Sequence, residues 1–129
     1  MRMNDFSIGI LFGCLFFMLS CNESPLHIPD ITIVSPELSA ISINEEAEFL
    51  LVVDIIDMVS TIEKVQIQIL SENKSVLYSK TEFPRANQYQ IKNHLSFSAI
   101  EKEEIIISIE ATNFEENTTK LEKKITLLQ

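Results

Sequence analysis

The chain has 129 residues, a net charge of −9 at pH 7, only two glycines and only two cysteines. The acidity excludes nucleic acid as a favoured partner, because such binding depends on Lys and Arg side chains that neutralise phosphates, and it disfavours adsorption to anionic lipid headgroups. The length suits a single domain.

An apolar run without a charged residue occupies residues 6–19, FSIGILFGCLFFML. A helix that crosses a bilayer needs about 20 such residues, so this run has the length of the hydrophobic region of a secretory signal. Arg2 and the α-amino group give the start of the chain a weak positive charge, which Asp5 partly offsets.

The run ends in Met18-Leu19-Ser20-Cys21, which resembles the lipobox of bacterial lipoproteins, with Met18 where Leu is most usual, as Bacteroidetes-type lipoproteins tolerate. The resemblance implies cleavage before Cys21, acylation of Cys21, and an outer-membrane lipoprotein of the cell envelope, on its periplasmic or its surface side. The alternative interpretations are an ordinary secretory signal cut near Ser20 and an uncleaved anchor.

Three regions follow from this prediction: a signal peptide at 1–20, the lipidated Cys21 with a proline-containing tether at 21–30, and one domain at 31–129. The second cysteine, Cys14, lies in the predicted signal, so the mature protein has no disulfide and depends on its hydrophobic core.

Both glycines, Gly9 and Gly13, also lie in the predicted signal. Phosphate-binding loops and the strained G-x-S-x-G nucleophile elbow both require glycine. The absence of glycine from residues 21–129 therefore excludes nucleotide sites of the Walker and Rossmann types and a hydrolase of the elbow type.

Short segments rich in Ile and Val follow the tether, and most alternate apolar with polar side chains, the pattern of half-buried β-strands. We predict strands at 31–34, 46–56, 63–70, 76–80, 88–97, 105–112 and 120–128. Seven strands in about 100 residues predict an all-β, antiparallel, immunoglobulin-like sandwich. The alternation also places Leu50, Val52 and Ile56 on the outer face of the second strand and Ile106 on the outer face of the sixth. The interpretations are an exposed strip that contacts a partner, a strip covered by residues 25–36, and a simple result of the Ile-rich composition, which we favour.

Three stretches, PDITIVSP at 29–36, IEKVQI at 62–67 and ATN at 111–113 with NTT at 117–119, resemble bacterial immunoglobulin-like modules that occur in tandem on secreted and surface proteins. The resemblance covers residues 29–128. It implies a sandwich fold with a binding or spacer role, and it carries no catalytic residues.

The chain has only two histidines, which limits metal binding and catalysis by histidine. His27 lies in the predicted tether and His94 in a predicted strand, and neither has a second ligand at metal-binding spacing. A Ser-His-acid triad would have to use one of these two, and we interpret both as isolated surface residues. We therefore expect no enzyme activity.

Carboxylates give a sharper hypothesis, because the sandwich topology brings the start of the first strand, the second-to-third loop and the sixth-to-seventh loop to one pole. Calcium takes six to eight oxygen ligands, which converging loops can supply. The candidate ligands are Asp30, Asp54, Asp57, Asn113, Glu115 and Glu116; the alternative is a solvated acidic end.

The same topology predicts that the tether holds this pole toward the membrane. Residues 36–40, 71–75 and 98–104 and the carboxyl terminus then form the opposite pole, which a large partner meets first.

Three functions fit these expectations: non-catalytic binding of a protein or glycan, an accessory role in an envelope complex by strand addition to a sheet edge, and a calcium-stabilised adhesion spacer. The chain has no Trp, and Tyr78 and Tyr89 are its only tyrosines, which favours a protein over a glycan as partner.

Overall fold

The computed structural model describes residues 27–98 and 103–129, which form eight β-strands. The strands are β1 (Asp30–Ser35), β2 (Ala40–Ser42), β3 (Glu46–Ile56), β4 (Ile62–Ser71), β5 (Val76–Glu82), β6 (Gln88–Ser98), β7 (Glu104–Asn113) and β8 (Thr118–Leu128). Within these two ranges no helix has the length and apolarity needed to cross a membrane. The predicted signal peptide, Cys21 and the tether up to residue 26 lie outside the described residues.

Two sheets form the domain: a three-stranded sheet in the order β1-β3-β6 and a five-stranded sheet in the order β2-β8-β7-β4-β5. β3 pairs with β6 along its whole length, from Glu46 opposite Ser98 to Ile56 opposite Gln88. β7 lies in the middle of the larger sheet, between β4 and β8. The fold is an all-β, immunoglobulin-like sandwich, as the alternation of the sequence predicts.

The core lies between the sheets and consists of every second side chain of the central strands. Leu51, Val53 and Ile55 of β3 are fully buried, as are the inward residues of β4 and β7, namely Val65, Ile67, Ile69, Ile105, Ile107 and Ile109. Burial of one such side chain contributes about 1.5–3 kcal/mol. This apolar core stabilises a domain in which residues 27–129 contain no cysteine.

The prediction of seven strands is wrong by one. The additional strand, β2, has only three residues and pairs in parallel with β8, Ala40 opposite Thr126 and Ser42 opposite Leu128. Every other strand pair is antiparallel. Three residues are too few to show an alternation, and β2 exists because a distant segment offers it backbone partners.

The outward apolar residues of β3 and β7, which lie on the outer faces of the two different sheets, are only partly exposed. Leu50 and Ile56 are exposed on β3, at 39% and 38%, but Ile106 of β7 is buried at 6%. The register places Ile106 directly beside Leu70 of β4, itself only 8% exposed. Two outward apolar side chains thus lie side by side on central strands, where both are largely buried.

Candidate functional site at the N-terminal pole

One end of the sandwich, here called the N-terminal pole, is formed by residues 27–29 together with the β3–β4 loop, the β5–β6 loop and the β7–β8 turn. Main-chain hydrogen bonds join these loops. The Asp57 N–H donates to the Asn87 carbonyl (2.9 Å), and the Phe114 N–H donates to the Thr61 carbonyl (2.8 Å). The three connections therefore converge, as the topology predicted for the segments around Asp57 and Asn113.

Asp57 and Asn113 form a buried polar pair at the centre of this pole, exposed by 2% and 1%. Asn113 Nδ2 donates to Asp57 Oδ2 (2.9 Å), and the Asn113 side-chain oxygen accepts from the Asn117 N–H (2.9 Å). Asp57 Oδ1 accepts from the N–H groups of Val59 (3.0 Å) and Ser60 (2.7 Å). Both carboxylate oxygens of Asp57 are thus engaged by N–H donors.

The charge of Asp57 is favoured by these contacts. Its burial by itself raises the pKa of the carboxyl group. The hydrogen bonds from Asn113, Ser60 and Val59, helped by the nearby His27, outweigh that effect and hold the pKa of Asp57 below its ordinary value. The pair therefore contains a carboxylate at neutral pH, stabilised by donors from two loops.

The residues just before β1 are attached to the same pole. The His27 carbonyl accepts hydrogen bonds from Asn113 Nδ2 (3.1 Å) and Asn117 Nδ2 (3.0 Å). The Pro29 carbonyl accepts one from the Thr119 hydroxyl (2.6 Å). Residues 27–29, the described end of the predicted tether, are held against the β7–β8 turn, which fixes where the chain enters the sandwich.

The other predicted calcium ligands lie in different parts of the structure. Asp30 lines a shallow cavity that Asp57 also lines. Asp54 lies farther along β3, where its Oδ1 accepts a hydrogen bond from Gln90 Nε2 (2.8 Å). Glu115 and Glu116 lie in the exposed β7–β8 turn, where Glu116 has a positive φ of 64°.

Asp57 and Asn113 are thus used in hydrogen bonds that join loops. In residues 27–98 and 103–129, no group of three or more His, Cys, Asp or Glu side chains is arranged to hold a metal ion. The calcium site stays a prediction.

A cluster of exposed apolar side chains at this pole was not predicted from the sequence. We call it the apolar tip: Ile28 (48% exposed), Met58 (89%), Val59 (58%) and Phe114 (72%). Met58, Val59 and Phe114 line one surface depression, and Ile28 shares a second depression with Met58 and Val59. The available signal was the presence of large apolar residues in turns, next to Asp57 and inside the polar stretch NFEEN.

At the opposite pole, side-chain and main-chain hydrogen bonds join several of the described segments. The N–H groups of Glu103 and Glu104 donate to Glu72 Oε1 (3.0 and 2.8 Å), and the Leu127 N–H donates to the Glu103 carbonyl (2.7 Å). Lys123 Nζ donates to the carbonyls of Pro36 and Glu37. The β1–β2 loop, the β4–β5 turn and the end of β8 therefore share this pole, as the topology predicted.

The two histidines are far from each other in the fold. His94 is exposed on the outer face of β6, opposite Leu50 in the register, whereas His27 lies at the N-terminal pole. The expectation that the protein is not an enzyme stays a prediction.

Comparison with known proteins gives a resemblance in fold. No family model matches the chain, and no curated protein matches it. The structure is similar to the crystal structure of the CARDB domain of a Pyrococcus furiosus protein in complex with di-metal ions, with a TM-score of 0.48 and 16% sequence identity. The match covers 81% of this chain and 98% of that one. The metal ions belong to that protein.

Proposed function

We propose that this protein is a lipoprotein of the cell envelope, anchored in the outer membrane through Cys21, whose immunoglobulin-like domain binds a protein or glycan without catalysing a reaction. The supporting observation is the attachment of residues 27–29 to the N-terminal pole by the hydrogen bonds of Asn113, Asn117 and Thr119. This attachment fixes the end of the sandwich from which the chain runs back to Cys21.

The anchor would lie close to that pole. Cys21 precedes His27 by six positions, and an extended chain spans at most about 3.6 Å per residue, so the two Cα atoms are separated by no more than roughly 22 Å. The N-terminal pole then faces the membrane, and the opposite pole, with the β1–β2 loop and the β4–β5 turn, faces away from it.

A protein partner suits the surface better than a glycan does. Glycan sites commonly use the exposed rings of Trp and Tyr, and the chain has no Trp. Tyr78 and Tyr89 are both partly buried and pack against the core. Neither ring forms an open platform on the described surface.

Anchoring is tested directly on the full-length protein expressed in a bacterial host that processes lipoproteins. Intact mass should show cleavage before Cys21 and an added acyl-glycerol group, and the protein should enter the detergent phase on Triton X-114 partition. Cys21→Ser should abolish both. A wild-type mass without lipid would refute the anchor.

The orientation is tested by steric labelling. Once Cys14 is removed and Cys21 is acylated, the chain has no free thiol, so one introduced cysteine reports on one pole. On membranes, a polymer-linked maleimide should label Leu38→Cys faster than Glu115→Cys, and the two rates should converge in detergent. Equal rates on the membrane would contradict the orientation.

One observation favours a second candidate, an accessory role in an envelope complex. β6 is a regular strand of 11 residues that pairs only with β3, so its other edge is open in the described structure. An open edge of this length can accept a strand from a partner.

The two candidate interfaces are distinguished by photo-crosslinking in the native envelope. A photoreactive residue at Lys92, on the outer face of β6, reports on strand addition, and one at Leu38 reports on the opposite pole. A crosslinked product at position 38 alone supports the binding function, whereas a product at position 92 alone supports the assembly role.

A further inference from the structure

The apolar tip exposes large apolar side chains to water, and the proposed membrane anchor offers an explanation for this exposure. Three of its side chains, Met58, Val59 and Phe114, are more than half exposed and line one surface depression together. Other apolar side chains are also more than half exposed, but none of them lines that depression: Leu38, Val76, Phe83 and Leu128. Contiguous exposed apolar residues mark surfaces that contact a partner or a membrane. All four residues of the apolar tip lie at the N-terminal pole, to which residues 27–29 are attached.

We infer that the apolar tip inserts into the interface of the bilayer that holds the lipid anchor, so that the domain stands on an electrically neutral lipid surface in a fixed orientation. This inference rests on the anchoring at Cys21 proposed above. The occupant of the tip is then the lipid surface, because the short segment between Cys21 and His27 keeps the tip within roughly 22 Å of the anchored residue.

Because the protein is already tethered to the membrane, a small apolar surface is sufficient for a second contact with the bilayer. A second contact made by an already anchored molecule is intramolecular, and a short flexible connection corresponds to an effective concentration in the millimolar range. An amphipathic helix buries its apolar face about 5–10 Å deep at the boundary between headgroups and acyl chains. Met58 and Phe114 lie outside the strands and are 89% and 72% exposed, so their side chains can enter this boundary without unfolding any strand.

The charges around the tip decide which lipid surface fits. Asp30, Glu115 and Glu116 lie in the segments that carry the apolar side chains, and Asp57 keeps its negative charge beneath them. Arg85 in the β5–β6 loop is the one Lys or Arg of residues 27–29, the β3–β4 loop, the β5–β6 loop and the β7–β8 turn, and the imidazole of His27 lies at the same pole. An acidic rim is repelled by anionic headgroups, so the tip suits zwitterionic lipids such as phosphatidylcholine.

The absence of Trp from the chain allows a clean test. Phe114→Trp places a single reporter in the tip, and Leu38→Trp places a matched one at the opposite pole, since the two native side chains are 72% and 71% exposed. Each lipidated full-length variant is reconstituted into phosphatidylcholine vesicles with and without lipids brominated on the acyl chains, which quench only a Trp that reaches them.

We expect the F114W reporter to shift to the blue and to lose emission in brominated vesicles, while the L38W reporter keeps its emission. Adding Met58→Ser and Val59→Ser to the F114W variant should restore the emission, with an unchanged far-UV circular dichroism spectrum as the control for folding. Adding anionic phosphatidylglycerol should reduce the quenching.

The outcomes separate the two proposals. Lipid on Cys21 in the intact mass together with an unquenched F114W reporter overturns insertion of the tip and leaves the anchor intact. Equal quenching of both reporters also overturns it, because the domain would then lie on its side. Stronger quenching with phosphatidylglycerol refutes the preference for a neutral surface. A mass without lipid overturns the anchor itself.

Discussion

Replacing Asn113 by Ala removes the one side chain that joins the β3–β4 loop, the β7–β8 turn and the segment before β1. The substitution deletes three hydrogen bonds: to Asp57 Oδ2, to the His27 carbonyl and from the Asn117 N–H. It also leaves one oxygen of a buried carboxylate without a protein donor.

The magnitude follows from the type of each bond. A hydrogen bond to a charged group contributes about 1.5–3 kcal/mol and a neutral one about 0.5–1.5 kcal/mol. Two neutral bonds and one to Asp57 total about 4 kcal/mol, and water that enters at the pole returns part of it. We therefore expect a loss of about 3 kcal/mol in the free energy of unfolding, which is about 12–24 °C in Tm for a domain of this size.

Urea unfolding followed by far-UV circular dichroism measures this loss. Asn87→Ala is the matched control, because it removes an exposed amide at the same pole and keeps the main-chain carbonyl that accepts from Asp57. The control should change stability by less than about 0.5 kcal/mol. If Asn113→Ala were as mild as the control, the assigned role of the polar pair would be refuted.

The dependence on pH provides a second check on the same variant. Because the pKa of Asp57 is lowered in the folded protein, its contribution to stability is present above the ordinary aspartate pKa and is lost as the pH falls through the lowered value. Asn113→Ala removes one cause of that lowering. The difference in unfolding free energy between wild type and variant should therefore narrow as the solution becomes acidic, and a difference that stays constant would contradict the charge assignment.

Asp57→Asn should destabilise the domain by about 2 kcal/mol and make its unfolding free energy less dependent on pH in the acidic range. An amide has one accepting oxygen and one donating nitrogen, so it cannot accept both from the main chain and from Asn113. A variant with the pH dependence of the wild type would contradict this. Leu51→Ala, in the core, should cost about 3 kcal/mol in urea unfolding, whereas Leu50→Ala on the outer face should cost less than about 1 kcal/mol. Equal costs would contradict the assignment of the two faces. We favour the alternative to a calcium site, a solvated acidic end, because both oxygens of Asp57 already accept hydrogen bonds, and we therefore expect calcium and EDTA to leave Tm unchanged. A rise in Tm that Glu115→Gln and Glu116→Gln abolish would instead support the predicted calcium site.

The sequence by itself determined the strands that build the core. The alternation from Glu46 to Ile56 predicted β3 to the residue, and it predicted that Leu51, Val53 and Ile55 point inward while Leu50 and Ile56 point outward. This works because successive side chains of a strand face opposite sides of the sheet, so one buried face leaves a period of two in the sequence.

Only the tertiary structure decided the features that depend on neighbours distant in sequence. β2 exists through its parallel pairing with β8, and Ile106 is buried beside Leu70 although it lies outside the core between the sheets. The loops that carry Asp57 and Asn113 were predicted to meet, but their hydrogen bonding to each other and to His27 was not, since it depends on exact register and loop conformation. The apolar tip also depends on distant neighbours, because Ile28, Met58 and Phe114 come from three separate segments. No local sequence pattern predicts that they share one surface.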